Sequence, residues 1–176
     1  GAAPGVGVIP YRVTNSVLID HVQRLMAKAI DDAVAKGCRV ISMSLGGAWP
    51  YGRLSDAIDR AYEQGVIVCA AAGNIIREVT YPGRYNRVIT VGGVRPVGTS
   101  GFKPWDGASR GQFVDICGPA DGVRRATVEL RKGQAVSSIQ PDGSGTSYAT
   151  ALCAGVAALW LAKHGDGLDA AYQQKW

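Results

Sequence analysis

The sequence predicts an α/β fold: a parallel sheet with helices packed on both faces. Three observations carry this. Short apolar runs alternate with longer segments whose apolar residues recur at three- and four-residue steps. The short runs are apolar throughout rather than at every second position, as strands covered on both faces are. Glycines stand where the helical segments stop, at Gly37 and Gly65, because a helix end often needs a left-handed residue.

Taken in order, Val6 to Val13 reads as a short strand. Val22, Leu25, Met26, Ala29, Ile30, Ala33 and Val34 then mark one face of a helix closed by Gly37. A strand over 39–44 follows. Leu54, Ala57, Ile58, Ala61 and Tyr62 mark a second helix, ended by Gly65, and a strand over 66–72 comes directly after it. Val88 to Val91 is a further strand. Residues 98–111 read as a polar, glycine-rich loop, and Phe113 to Cys117 as a short strand. Thr127–Leu130 and Ala135–Ser138 form a hairpin around Gly133. Pro141-Asp142-Gly143 reads as a turn that leads into an apolar helix. Asp166 to Lys175 is expected to form a brief terminal helix. Each strand–helix–strand crossover should be right-handed, which places the ligand crevice at the carboxyl ends of the strands.

Composition bounds the possibilities. The chain has 176 residues, 47% of them hydrophobic, and 24 glycines. That is one domain's worth, 1–176, with enough apolar surface for a real core and too much for a disordered chain. The longest apolar stretch, Ala149 to Ala162, is shorter than the roughly 20 residues that cross a bilayer, so it reads as a core helix. No signal peptide stands at the start of the chain. The net charge is +5, and the basic residues Arg124, Arg125, Arg131 and Lys132 sit in the hairpin without interleaved aromatics. A solvated surface explains them better than nucleic-acid binding. The four cysteines, Cys38, Cys69, Cys117 and Cys153, have no C-x-x-C spacing, which argues against zinc or dithiol redox chemistry. Cys69 and Cys153 lie in apolar runs and read as buried thiols.

The run Gly143-Ser144-Gly145-Thr146-Ser147-Tyr148-Ala149-Thr150 carries the chemistry. It puts Ser147 where a glycine-rich turn enters a helix. The first turn of a helix has free backbone N–H groups and the positive end of the dipole. A hydroxyl there sits beside a ready anion site, which suits a nucleophile that generates an oxyanion. Most serines at helix starts are simple caps, so the other segments decide. Val40-Ile41-Ser42-Met43-Ser44-Leu45-Gly46-Gly47 is a strand ending in a glycine turn. Val66 to Asn74 is a buried strand that stops at Gly73-Asn74, and Tyr81-Pro82-Gly83 precedes the next strand.

These segments, in this order and spacing, resemble the subtilisin-like serine proteases (subtilases), as does the opening Gly1-Ala2-Ala3-Pro4-Gly5. The resemblance runs from residue 1 to about residue 163. It implies a three-layer subtilisin-like fold with a central parallel sheet, seen as the C-terminal part of a catalytic domain. It also implies serine endopeptidase activity, with Ser147 as nucleophile and Asn74 as the oxyanion-hole residue supported by the Thr146 hydroxyl. Ser44, Leu45 and Gly46 would pair with the substrate backbone. Ala71, Ala72 and Gly73 would wall the pocket for the residue before the scissile bond, with Thr80 at its base. A peptide or protein substrate and an extracellular location are implied, with no nucleic-acid or membrane partner. No organic cofactor is implied. Structural calcium occurs in the family, but no Asp/Asn-rich loop of the sequence has its ligand spacing.

The family's triad Asp and His are expected upstream. His21 and His164 are the only histidines. His21 lacks the surroundings of the family's histidine motif. His164 lies 17 residues beyond Ser147, roughly 25 Å along a helix at about 1.5 Å per residue. The chain alone is therefore expected to be inactive, with the N-terminal part of its own domain as a candidate partner. Departures from the family pattern stand at Gly118 and Ala120, at Tyr148, and at Ala151 and Leu152, where the family usually has Pro and His. A non-catalytic peptide-binding or scaffold module is the alternative. A dinucleotide-binding domain fits poorly because Pro10 follows Gly5-Val6-Gly7 where a third glycine should open a helix. An α/β-hydrolase fits poorly because Ser147 lacks the G-x-S-x-G elbow.

Overall fold

The computed structural model describes residues 2–74 and 76–173, with side chains as far as Gly165. Three helices are present: α1 (Gln23–Ala35), α2 (Gly52–Glu63) and α3 (Thr146–Gln173). The strands are β1 (Val40–Met43), β2 (Ile67–Ala71), β3 (Ile89–Val97), β4 (Gly101–Pro104), β5 (Ile116–Pro119), β6 (Val123–Arg131) and β7 (Gln134–Gly143).

β1, β2, β3 and β5 form the parallel part of one five-stranded sheet. The parallel register sets Val40 beside Ile67 and Cys69 beside Ile89. Alternation along β2 divides the layers. Val68 and Ala70 join Met26, Ile30, Leu54 and Ile58 in one core, under α1 and α2. Val91, Ala120 and Ala149 form a second, smaller core on the α3 side, with Cys153 packed against it. The sheet is thus sandwiched between a helix pair and α3, as the sequence pattern implies. Both α1 and α2 end before a glycine at positive φ, Gly37 at 78° and Gly65 at 74°.

Several elements differ from the sequence-based expectation. Residues 98–111 are not all loop. β3 runs on past its parallel neighbours, and its far end pairs antiparallel with β4, Arg95 opposite Lys103. The strand expected at 113–117 begins instead at Ile116, because Val91 pairs with Ile116 and the preceding residues bend to reach that register. The hairpin is longer than its apolar signal, with Val123 paired to Gly143 at its base. Pro141-Asp142-Gly143 therefore belongs to β7 rather than to a turn. No separate terminal helix begins at Asp166, since α3 continues unbroken to Gln173. Lys175 lies outside the described residues.

Val6 to Val13 is extended but pairs with no strand among the described residues. Its Tyr11 is held by α1 instead, donating to Asp32 Oδ2 at 2.5 Å, where Lys36 also donates at 2.6 Å. The Lys36 ammonium first, and Tyr11 second, keep the Asp32 carboxyl below its ordinary pKa. Between this segment, α1, β1 and α3 lies an apolar cavity of about 1100 Å³. Val8, Ile30, Ile41, Ala154 and Ala158 are among the residues that line it. β1 is the terminal strand of the sheet order, so its outer edge faces this space.

Candidate active site

The carboxyl ends of β1 and β2 and the amino end of α3 meet at one rim. Three residues of the turn after β2 are stitched to their neighbours. The Thr80 N–H donates to the Ala72 carbonyl at 3.0 Å. Gly47 and Tyr81 exchange both backbone hydrogen bonds, at 2.8 and 2.9 Å. The Ser109 N–H donates to the Gly73 carbonyl at 2.9 Å. The ends of β1 and β2 and the 80–81 segment thereby form one platform.

Asn74 leaves that platform toward α3. Its Oδ1 accepts two hydrogen bonds, from the Thr146 backbone N–H at 2.8 Å and from the Thr146 hydroxyl at 2.7 Å. A backbone N–H can only donate, so the atom facing it must be the amide oxygen. That fixes the side chain's sense: the amide NH₂ is turned away from Thr146, and it donates to no group among the described residues. Thr146 is fully buried, and its Oγ1 also accepts from the Gly73 N–H at 3.3 Å. Gly145 must be glycine. Its φ is +147°, and a Cβ there would meet the Asn74 amide nitrogen at 3.3 Å. Its own N–H is tied to the Ala120 carbonyl at 2.8 Å, which anchors the turn to the strand-end region after β5.

Ser147 follows as the second residue of α3 and is half-buried. Its backbone N–H lies in the first turn, where no intrahelical acceptor exists. Its carbonyl accepts from the Ser44 hydroxyl at 3.1 Å. Ser44 thus ties β1 to the serine's own turn, in addition to standing at the rim. Farther along the helix, the Thr150 hydroxyl donates back to the Thr146 carbonyl at 2.8 Å. Tyr148 accepts from Arg125 at 3.0 Å, bracing the base of the β6–β7 hairpin against α3.

The remaining sequence-predicted residues are placed as follows. Ser44, Leu45 and Gly46 lie together at the rim, with the Gly46 N–H donating to the Val17 carbonyl at 2.9 Å. Ala71 and Ala72 are buried, so only half-buried Gly73 offers surface at the end of β2. Thr80 sits between the two strand ends. A Cβ on Gly46 would lie 2.9 Å from Thr80 Cβ, and one on Gly73 would lie 3.3 Å from Thr80 Cγ2. The absent side chain at Gly46 therefore makes room for Thr80 as well as opening the backbone. Neither histidine is hydrogen-bonded to Ser147 among the described residues: His21 is exposed before α1, and His164 stacks on Trp160 with ring centroids 5.4 Å apart.

Sequence reasoning missed the segment 12–17, which lines a cavity of about 420 Å³ together with Ser44 and Leu45. Its short polar residues carry no periodic signal. Only the pairing of Gly46 with residues 17–19 brings it to the rim. Among the described residues, no cluster of His, Cys, Asp and Glu could hold a metal ion. No helix there is long and apolar enough to cross a membrane.

Fold and rim together define a subtilisin-like α/β protein. The prenylagaramide maturation protease PagA is a solved structure with a similar fold. It matches at a TM-score of 0.67 and 28% identity over 82% of this chain and 50% of that one. Subtilisin DY of Bacillus licheniformis is 32% identical over 174 residues, 93% of this chain and 57% of the relative. Subtilisin E of Bacillus subtilis is 31% identical over the same share of this chain and 41% of its own length. The family model described as "Subtilase family" matches residues 1–175. The chain belongs to the subtilase family of serine proteases, and it spans about half the length of the curated relatives it matches.

Proposed function

We propose that this chain is the nucleophile-bearing part of a subtilisin-type serine endopeptidase. Ser147 Oγ attacks the peptide carbonyl and gives its proton to a histidine on chain outside residues 1–176, itself oriented by an aspartate there. The carbonyl oxygen, now negative, takes hydrogen bonds from the Asn74 side-chain NH₂ and the Ser147 N–H. The leaving amine takes the proton back from the imidazole, and water repeats the sequence on the acyl-enzyme. Ser44 and Leu45 line the path of the substrate backbone; Gly46 does not pair with it while its N–H and carbonyl are bonded to Val17 and Ile19. Gly73 and Thr80 bound the pocket for the residue before the scissile bond. An extracellular protein or peptide substrate fits the family.

The observation that carries this reading is the Asn74–Thr146 pair. Two donors hold the amide oxygen, so the NH₂ is oriented away from Thr146 before any substrate arrives. Such prior orientation is what makes an oxyanion donor worth about 3–4 kcal/mol in the transition state. The need for outside residues rests on neither histidine being hydrogen-bonded to Ser147 among the described residues. The 1100 Å³ apolar cavity along the outer edge of β1 offers a seat for the segment that supplies them. An added parallel strand there would end at the same rim as Ser44.

The test is labelling with a fluorophosphonate probe. The 176-residue chain alone should label at Ser147 slowly or not at all, and the full gene product rapidly and stoichiometrically. Rapid labelling of the chain alone would show that the base lies within it. A full gene product that never labels would make the protein a non-catalytic peptide-binding relative.

A further inference from the structure

The 420 Å³ cavity lies between residues 12–17 and the Ser44–Leu45 end of β1. The Ser44 hydroxyl that closes one wall also bonds the Ser147 carbonyl at 3.1 Å. The cavity therefore begins within one residue's reach of the nucleophile's turn. Its opposite wall is held in place by backbone bonds. Gly46 N–H donates to the Val17 carbonyl at 2.9 Å, and Ile19 N–H donates to the Gly46 carbonyl at 3.2 Å. These bonds join the two segments at residues 17–19 and Gly46, and the cavity opens beside that junction.

The lining is polar on the 12–17 side, with Arg12, Thr14, Asn15 and Ser16, and it contains no carboxylate. Arg12 is exposed, and its guanidinium is oriented by a neutral group. Nε and Nη2 both donate to Asn15 Oδ1, at 3.1 and 2.7 Å. Asn15 thus fixes where the fork points without cancelling its charge. Of the five guanidinium N–H donors, three remain for a ligand. No carboxylate among the described residues forms an ion pair with Arg12. A planar cation held by a neutral amide beside an uncharged slot matches a carboxylate in charge and in bidentate geometry.

We propose that this cavity is a subsite for an acidic side chain, Asp or Glu, of the peptide substrate, on the side preceding the scissile bond, with Arg12 as its reader. The inference rests on the reading of Ser147 as nucleophile and of Ser44 and Leu45 as lining the substrate's path. It adds a substrate class, which that reading does not contain. The net charge of +5 favours approach of acidic peptides as well. The site is open to solvent, so the preference should be about two- to fivefold rather than larger, and it should weaken as salt is raised.

The experiment is a positional series of internally quenched peptides cleaved by the full gene product. Glu, Gln, Ala or Lys is placed in turn at each of the four positions before the scissile bond. At one position kcat/KM should follow Glu above Gln above Lys, with Glu exceeding Gln by about two- to fivefold. Most of the effect should fall in KM, because the charge contact is the same in ground and transition states. R12Q should bring the Glu-to-Gln ratio near one, and R12E should invert the order so that Lys is preferred. The inversion cannot come from a variant that merely fails to fold. A Glu-to-Gln ratio near one at all four positions overturns the proposal, as does a ratio unchanged in R12Q. Failure of the gene product to cleave any peptide of the series would instead sink the protease reading, and the subsite with it.

Discussion

Replacing Gly46 by alanine should destabilise the protein, and removing the Thr80 side chain should abolish most of that cost. The added methyl would overlap the Thr80 hydroxyl, lie 2.9 Å from Thr80 Cβ and sit 3.2 Å from the Tyr81 carbonyl. Thr80 has little freedom to withdraw. Its N–H and its hydroxyl both bond the Ala72 carbonyl, at 3.0 and 3.3 Å, and its methyl already faces Gly73. Overpacking at such a site costs about 1–3 kcal/mol. T80G alone should cost about 1–2 kcal/mol, from a lost hydrogen bond and a looser unfolded chain. In the T80G background G46A should cost about 0.5 kcal/mol or less, since only the Tyr81 carbonyl remains close. The coupling is then about 0.5–3 kcal/mol in favour of the double variant. Urea unfolding of the four proteins, followed by tryptophan fluorescence, measures it. If the two changes add within about 0.5 kcal/mol, Thr80 does not fill the space between the strand ends, and its place at the pocket base is wrong.

Two further outcomes follow from the same geometry. N74A in the full gene product should lower kcat about 10²–10³-fold while leaving KM within a few-fold; an equal loss in a KM-only pattern would place Asn74 in ground-state binding instead. Alkaline stability provides a check that needs no activity. Burial, and then the neighbouring Cys153, push the Cys69 thiol up to about 12 from an ordinary 9.0. The unfolded chain releases that proton first, so its contribution to stability is intact below about pH 9 and is lost as pH rises toward 12. Burial also raises the Tyr85 phenol, which acts with the same sign above its ordinary pKa. Urea midpoints measured from pH 8 to pH 11 should fall more steeply in the parent than in C69A; parallel slopes would mean that Cys69 is not held protonated.

The parts legible in the sequence are those with local causes. The alternating runs and helix-ending glycines specify β1, β2, α1 and α2, because burial on both faces and a left-handed terminus leave residue-type signatures. The Gly145-Thr146-Ser147 turn was legible for the same reason, since only glycine tolerates its backbone. What escaped depends on partners distant in sequence. β4 exists because β3 outruns its parallel neighbours and leaves an edge to fill. Val6 to Val13 has strand composition, yet a strand needs a neighbour to bond, and the described residues offer it a tyrosine contact to α1 instead. The cavity beside Arg12 is made by segments 12–17 and 44–45, and neither carries a mark of the other. Likewise Gly46 reads as an opening for substrate, whereas the space beside it is already taken by Thr80.

The bonds that assemble the rim join residues far apart along the chain: Asn74 to Thr146, 72 positions on, and Ser44 to Ser147, 103 positions on. Such long closures form late, after the local helices and strand pairs. A ribosome would have to release nearly the whole segment before the serine could meet its asparagine. Nascent and half-folded copies therefore carry Ser147 without the Asn74–Thr146 pair beside it. The rim is absent from partly folded copies of this chain, and it appears only with the completed topology.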